Sequence, residues 1–437
     1  MMTSTVDKIC RWIDENQQPM LDFCMQYMRF KSVTKNELEV QEWLREQFEK
    51  IKFDEIDFWA VDKDQKRPNL VGVKRGKSGK TALIINGHSD VVPVEEFERK
   101  QWKSDPWNPE IRDGKIWGRG ANDMKGPNTA ALFAVRAVIE SGIDLTDDLI
   151  LEFVSTEEAM EHEIATTAAV NRGYRSSFAI VVEPTNCEIH PVTTGSFSWS
   201  LNISGKPVHT CLKNQVIYPQ RSEIPVGEQV GVDAFAKALK ILRAWDYLEK
   251  EWNLRWRHPF LGGGGHPQGD MQGVGCFTIT ATLINAGDYF AAVPGWAQIK
   301  GNTYYPPWLK LDQILKEMQN AVDSIAAYDD WLKNNPPKFE LLYHWPPSEV
   351  DPDHEGCKTL AKSYREVTGK EAIISGFRAV CDTTFLCQMG IPAVIFGPGD
   401  LSMGAHGPNE HIPIEQLNTA CKTLAVMILN RCAASQS

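Results

Sequence analysis

The chain has 437 residues, 42% hydrophobic and 24% charged, which is ordinary globular material longer than one hydrophobic core usually serves. A net charge of -11 excludes nucleic acid and anionic membrane as main partners, because both repel an acidic surface, and leaves small molecules as the expected ones. The first thirty residues mix Asp, Glu and Lys among apolar positions and offer no secretory h-region. No later stretch approaches the ~20 apolar residues that span a bilayer. Ten scattered cysteines without a CxxC pair point to reduced thiols and a cytoplasmic location.

From about residue 80 short apolar runs alternate with amphipathic stretches, the pattern of parallel α/β units. TALII (81–85), LILEFV (149–154), FAIVV (178–182) and PAVIF (392–396) are the expected strands. NTAALFAVRAVIESG (128–142) and LNTACKTLAVMILNRCA (417–433) are the expected helices, the first closed by Gly142. The middle of the chain changes character. SFSWSLNIS (196–204) and CFTITATLI (276–284) alternate polar with apolar residues, as a sheet with one wet face does. Helical patterns over about 232–252 and 309–333 accompany them, and LGGGGHPQGD (261–270) is the most glycine-rich connection. The expected architecture is therefore α/β: a catalytic domain (1–192 and 347–437) with a mixed, mainly parallel sheet flanked by helices. An inserted α+β lid and dimerisation domain (193–346) ends at Pro346-Pro347.

Chemistry-bearing residues follow four of the expected strands. His88 and Asp90 come after TALII, Glu157 and Glu158 after LILEFV, Glu183 after FAIVV, and His406 after PAVIF. Carboxyl ends of parallel strands are where α/β enzymes build sites, so these residues are expected to share one cleft. Imidazole and carboxylate without thiolate suit Zn, Co or Mn in an open hydrolytic centre. Two histidines with three or four carboxylates exceed one ion's needs, whereas two ions about 3.5 to 4 Å apart would use them all. Taken singly, each residue has a plainer explanation, since an H-x-D is commonly a cap and a Glu pair a solvated face. The glycines of GRGAND (118–123) suggest a dinucleotide loop only weakly, because Asp123 stands where the third glycine belongs.

GHSDVV (87–92), GRGANDMKG (118–126), STEEA (155–159), VVEPT (181–185) and GAHGPNEH (404–411) resemble an ordered family signature. It is that of the co-catalytic zinc hydrolases comprising acetylornithine deacetylase, succinyl-diaminopimelate desuccinylase, aminoacylase and glutamate carboxypeptidase. The resemblance implies metal-dependent hydrolysis of an amide bond in a small N-acyl amino acid or related compound, with dipeptidase or carboxypeptidase activity as the alternative. A catalytically silent, metal-stabilised binding protein is the rival from another class. The resemblance also implies that His88 and Glu183 hold one ion, Glu158 and His406 the other, and Asp123 both. Asp90 would orient His88, Glu157 would be the general base, and the Asp123–Met124 peptide would be cis. His209, in SGKPVHT (204–210), would reach the partner's site across a homodimer.

The chain departs from the family pattern in several places. AMEHEIATT (159–167) replaces a glycine-rich turn, so His162 or Glu163 could approach the site, although a remodelled surface turn is the simpler account. AAVP (291–294) and TYYP (303–306) lack the family's lid Asn and Arg, and CDTT (381–384) stands where TDAR is frequent. Arg378 is the candidate replacement for the missing substrate clamp, since a guanidinium grips carboxylates bidentately. His190, His258, His266, His344, His354 and His411 match no role, and Trp102, Trp107 and Trp117 line a pocket only if ordinary packing does not claim them.

Overall fold

A computed structural model describes residues 5–217, 228–261 and 275–433. Residues 262–270 of the glycine-rich connection, with His266, lie outside the described residues. The chain divides into two compact units, Met1–Thr193 with Ser348–Phe377 and Cys381–Ser437, and Thr194–Pro347 with Arg378–Val380. The short return Arg378–Val380 joins the second unit, where the Thr194 hydroxyl donates to the Ala379 carbonyl at 3.1 Å.

The first unit is built on a six-stranded sheet. Its order is Glu55–Ala60, Pro68–Lys74, Asp148–Val154, Thr81–His88, Ala179–Val181, Ala393–Ile395. The last four strands are mutually parallel and the first two are joined antiparallel at one edge. The parallel strands read as continuous apolar runs because helices cover both faces, and every residue of Asp148–Val154 is buried. Helices Lys125–Glu140 and Ile414–Cys432 pack on each other and on strand Thr81–His88. The small residues of the first let it lie fully buried from Lys125 through Val135. Gly142, at φ +69°, follows its C-terminus in the left-handed conformation that glycine adopts cheaply. The two antiparallel edge strands were not expected from the sequence, because Pro68–Lys74 is interrupted by Gly72 and Glu55–Ala60 is only half-buried.

The second unit is an antiparallel four-stranded sheet in the order Thr278–Ala286, Trp296–Tyr305, Gly195–Ser204, Lys338–Trp345. Helix Ala234–Arg255 packs on three of these strands and on helix Leu311–Ala327. The expected helix over 309–333 is in fact two, because Asp329 caps a separate short helix, Asp330–Asn334, by accepting from Trp331 N and Leu332 N at 3.1 Å each. No helix among the described residues is long and apolar enough to cross a membrane, and no disulfide joins the described cysteines.

Candidate active site

His88 is the last residue of strand Thr81–His88, and its buried ring is held from both sides. Nδ1 lies 3.0 Å from the Asp90 carbonyl and 3.4 Å from its carboxylate, while Nε2 lies 3.2 Å from Asp123 Oδ1 and 3.4 Å from Glu183 Oε1. The His88 backbone is pinned to the next element, its carbonyl accepting from Asn128 Nδ2 at 2.6 Å. Glu183 follows strand Ala179–Val181, so two neighbouring strands deliver the imidazole and the carboxylate.

A second cluster shares Asp123. His406 Nε2 lies 3.2 Å from Asp123 Oδ2 and 3.0 Å from Glu158 Oε2. His406 adopts φ +57°, and Gly404 before it φ +88°, so the loop after Ala393–Ile395 turns sharply back. Asp123 ends the loop ahead of helix Lys125–Glu140, and its peptide to Met124 is cis. Glu157 and Glu158 occupy the turn after Asp148–Val154, where both backbone N–H groups donate to the Asp90 carboxylate, at 3.2 and 3.1 Å. Asp90 therefore serves the His88 ring and the glutamate turn together. Glu157 Oε2 comes within 4.0 Å of His88 Nε2 and takes part in neither metal-type triad.

His88–Asp123–Glu183 and Asp123–Glu158–His406 each offer three donor atoms within 4.8 Å of one another. Their N···O separations of 3.0 to 3.4 Å resemble the edges of a tetrahedron built on bonds of about 2.0 to 2.1 Å, roughly 3.3 Å. The electrostatics favour the same occupant. Burial, with Asp123 and Glu158 nearby, pushes Glu183 up to about 7 against the opposing pull of His88. Burial likewise raises Glu158, and Glu157 well above the carboxylate range, the latter reinforced by Glu183, Glu158 and Asp382. Burial disfavours charge on His406, but hydrogen bonds to Asp123 and Glu158 outweigh it and raise the ring to about 12. Burial also opposes ionisation of Asp123, yet bonds from both imidazoles hold it below its ordinary value. Acids that cannot all ionise, beside imidazoles that hold protons tightly, form a donor set that a pair of divalent ions fits.

The other singled-out residues have these surroundings. The His162 ring stacks on Phe385 at 3.4 Å between centroids and its Nδ1 contacts Thr167 Oγ1, while Glu163 is two-thirds exposed. His411 stacks on Trp117 and Trp102 lies under Arg119, so packing claims both tryptophans. His209 caps a short turn, its Nδ1 accepting from Cys211 N at 3.3 Å. Arg378 keeps Nε and Nη2 buried without a partner, and burial lowers its pKa. A concavity of about 1000 Å³, lined by Lys115, Asn186, Tyr364, Gln416 and Lys422 among others, contains none of the metal-type residues. Two residues without a role in the sequence reasoning join the site's surroundings. Asp382 accepts from Thr166 Oγ1 at 2.7 Å, and burial pushes it up to about 6. Glu410 receives four hydrogen bonds beneath Asp123. Both stood inside quoted motifs, which was the available signal.

Oxygen and imidazole donors gathered at the carboxyl ends of parallel strands, with one carboxylate touching both imidazoles, define a metal-dependent hydrolase of the co-catalytic kind. Comparison with known proteins supplies the lineage: the chain belongs to peptidase family M20/M25/M40, whose model matches residues 84–430. It is 30% identical to the N-formyl-4-amino-5-aminomethyl-2-methylpyrimidine deformylase of Bacillus subtilis over 99% of each chain. It is 26% identical to the succinyl-diaminopimelate desuccinylase of Thioalkalivibrio sulfidiphilus, covering 91% of this chain and 95% of the relative. Among solved structures, human carnosine dipeptidase 1 superposes with a TM-score of 0.75 at 14% identity, over 98% of this chain and 99% of that one. The chain is thus a metallohydrolase acting on amide bonds, of the deacylase type.

Proposed function

We propose that the protein removes a small acyl group, formyl above all, from the nitrogen of a compact amine such as an aminomethylpyrimidine. The observation that carries this is end-to-end similarity: two relatives named as that deformylase match 99% and 98% of the chain at 30% and 28% identity. The desuccinylase relative matches less of it, and likeness to a dipeptidase structure at 14% identity shares the fold alone. Dipeptide hydrolysis is the rival reading.

In this proposal His88 and Glu183 hold one divalent ion, Glu158 and His406 the other, and Asp123 both; zinc is the expected metal, with cobalt or manganese able to replace it. The ions, when bound, polarise the scissile carbonyl and acidify water. Glu157 moves the proton: it takes one from the attacking water and delivers it to the leaving nitrogen as the C–N bond breaks. Its carboxylate is placed by the turn that Asp90 anchors, and Asp90 also fixes the His88 ring from behind. We assign Arg378 to substrate binding, supported by its two partnerless donors. The first unit is the catalytic domain and the second a lid through which a homodimer forms, His209 serving the partner's site. Ten cysteines without a disulfide among the described residues support action in the cytoplasm.

The test is a kcat/KM panel with zinc-loaded protein: the N-formyl aminomethylpyrimidine, N-formyl, N-acetyl and N-succinyl amino acids, and dipeptides. The formyl compounds should lead, and a dipeptide in first place would overturn the reading. Light scattering reads the dimer, and mixing His209→Ala with Glu157→Gln chains should restore activity if His209 acts in trans.

A further inference from the structure

The loop that carries Asp123 has little to hold it by itself. It enters through Gly118 at φ +149° and Gly120 at φ +82°, and it supplies no side-chain cap to the helix that follows. Three of its backbone N–H groups, of Gly120, Asn122 and Asp123, converge on one carboxylate nearly three hundred residues away. Glu410 is fully buried. Its Oε1 accepts from Asn122 N at 2.8 Å and Asp123 N at 3.0 Å, and its Oε2 from Gly120 N at 3.0 Å and Arg119 Nη1 at 2.7 Å. Arg119 is fixed in turn by Glu98 at 2.7 Å and by the face of Trp102. Hydrogen bonds to a charged acceptor are the strong kind, and four of them make a rigid cradle.

Glu410 also belongs to the loop that presents His406. Gly404, at φ +88°, packs so closely that a Cβ there would meet Glu410 Cα at 2.9 Å. The Glu410 carbonyl accepts from Gly118 N at 3.0 Å, so main chain and side chain grip opposite ends of the Asp123 loop. Glu410 therefore ties the segment bearing the shared carboxylate to the segment bearing the second imidazole, alongside Asn122, whose side-chain amide donates to the Asp400 carbonyl at 2.9 Å and accepts from Asp400 N at 3.0 Å. His88 is tied to the same loop independently, its backbone N–H meeting Met124 Sδ at 3.2 Å and its carbonyl Asn128 Nδ2.

We propose that Glu410 is the positioning residue that sets Asp123 against His406, so that the Asp123–Glu158–His406 site depends on it and the His88–Asp123–Glu183 site depends on it far less. This rests on the proposed role of those five residues in holding metal. The consequence is selective. Glu410→Gln keeps the size but turns an acceptor oxygen into an N–H donor facing two N–H groups. Glu410→Asp keeps the charge and falls one methylene short.

Stepwise zinc affinities of the full-length wild-type and both variants, read by competition with a chromophoric chelator, test this directly. Visible spectra of the cobalt-loaded forms and melting of the zinc-free forms accompany them. Wild type should take up two zinc ions. In Glu410→Gln one of the two should weaken by roughly ten- to a hundredfold, as loss of a supporting partner does. The other should hold, only part of the cobalt spectrum should change, and Glu410→Asp should fall between. Two unchanged affinities would overturn the proposal, and so would equal loss of both together with collapse of the zinc-free fold. Failure of both variants to fold even in excess zinc would make Glu410 merely structural and overturn it too. If the wild-type chain takes up no zinc, the proposed metal chemistry falls as well; if it takes up two and Glu410→Gln matches it, only the inference about Glu410 falls.

Discussion

Buried acids are neutralised in opposite ways at two places, the Asp329 cap of the second unit and the metal-type cluster of the first. In the second unit Asp329, with 4% of its side chain exposed, takes both oxygens to Lys237 Nζ at 2.8 Å and one to Lys240 Nζ at 2.7 Å. Burial alone would raise this carboxyl, but bonds from the lysines and from Leu332 N prevail and bring it down to about 2. In the first unit Glu157, Glu158, Glu183 and Asp123 have no Lys or Arg partner among the described residues, only His88 and His406. The chain supplies its own cations at Asp329 and withholds them from the proposed metal ligands and the proposed base. A buried acid without an internal counter-ion is a standing demand for an external one.

The most drastic break in that contrast is Glu157→Gln. The amide preserves shape and removes the proton carrier, so turnover should fall by about a hundred- to ten-thousandfold while zinc content stays at the wild-type level. Near-normal turnover would show that another group moves the proton. Next in size is metal removal: chelation should lower the melting temperature of the first unit, since zinc at a thousandfold excess over Kd is worth about 4 kcal/mol. A melt insensitive to chelator would remove zinc from the first unit's stability.

Asp329→Asn should cost about 2 kcal/mol, because the helix cap survives while the three charge-assisted bonds from Lys237 and Lys240 weaken. The pH dependence follows from the lowered carboxyl. Its stabilisation is complete above the ordinary value of 3.8 and is lost as pH falls towards about 2, so wild type should lose its margin over the Asn variant across that window. Acid titration of both proteins by circular dichroism checks this, and parallel curves would exclude Asp329 as the cause. The smallest effect concerns protons released on zinc uptake. Glu183, at about 7 in the metal-free chain, is protonated below that pH and must shed its proton to bind, so calorimetry in paired buffers should find about one more proton released at pH 6 than at pH 8.

The sequence by itself determined the elements with strong local signals. Continuous apolar runs marked the parallel strands, and alternation marked two of the four strands of the second sheet, Gly195–Ser204 and Thr278–Ala286, because burial on two faces or on one is written in the period of hydrophobicity. It also determined that His88, Glu157, Glu158, Glu183 and His406 follow strands whose carboxyl ends face one way once the sheet is parallel. Tertiary structure alone decided the order of the strands, the antiparallel edge formed by Glu55–Ala60 and Pro68–Lys74, and the break at Asp329. It also decided the partners of Glu410 and Asp382, which lie 291 and 216 residues away along the chain in their longest hydrogen-bonded links. Hydrophobic period is a property of neighbours, whereas a buried carboxylate finds its donors only after the chain has folded them together, and no local pattern encodes that meeting.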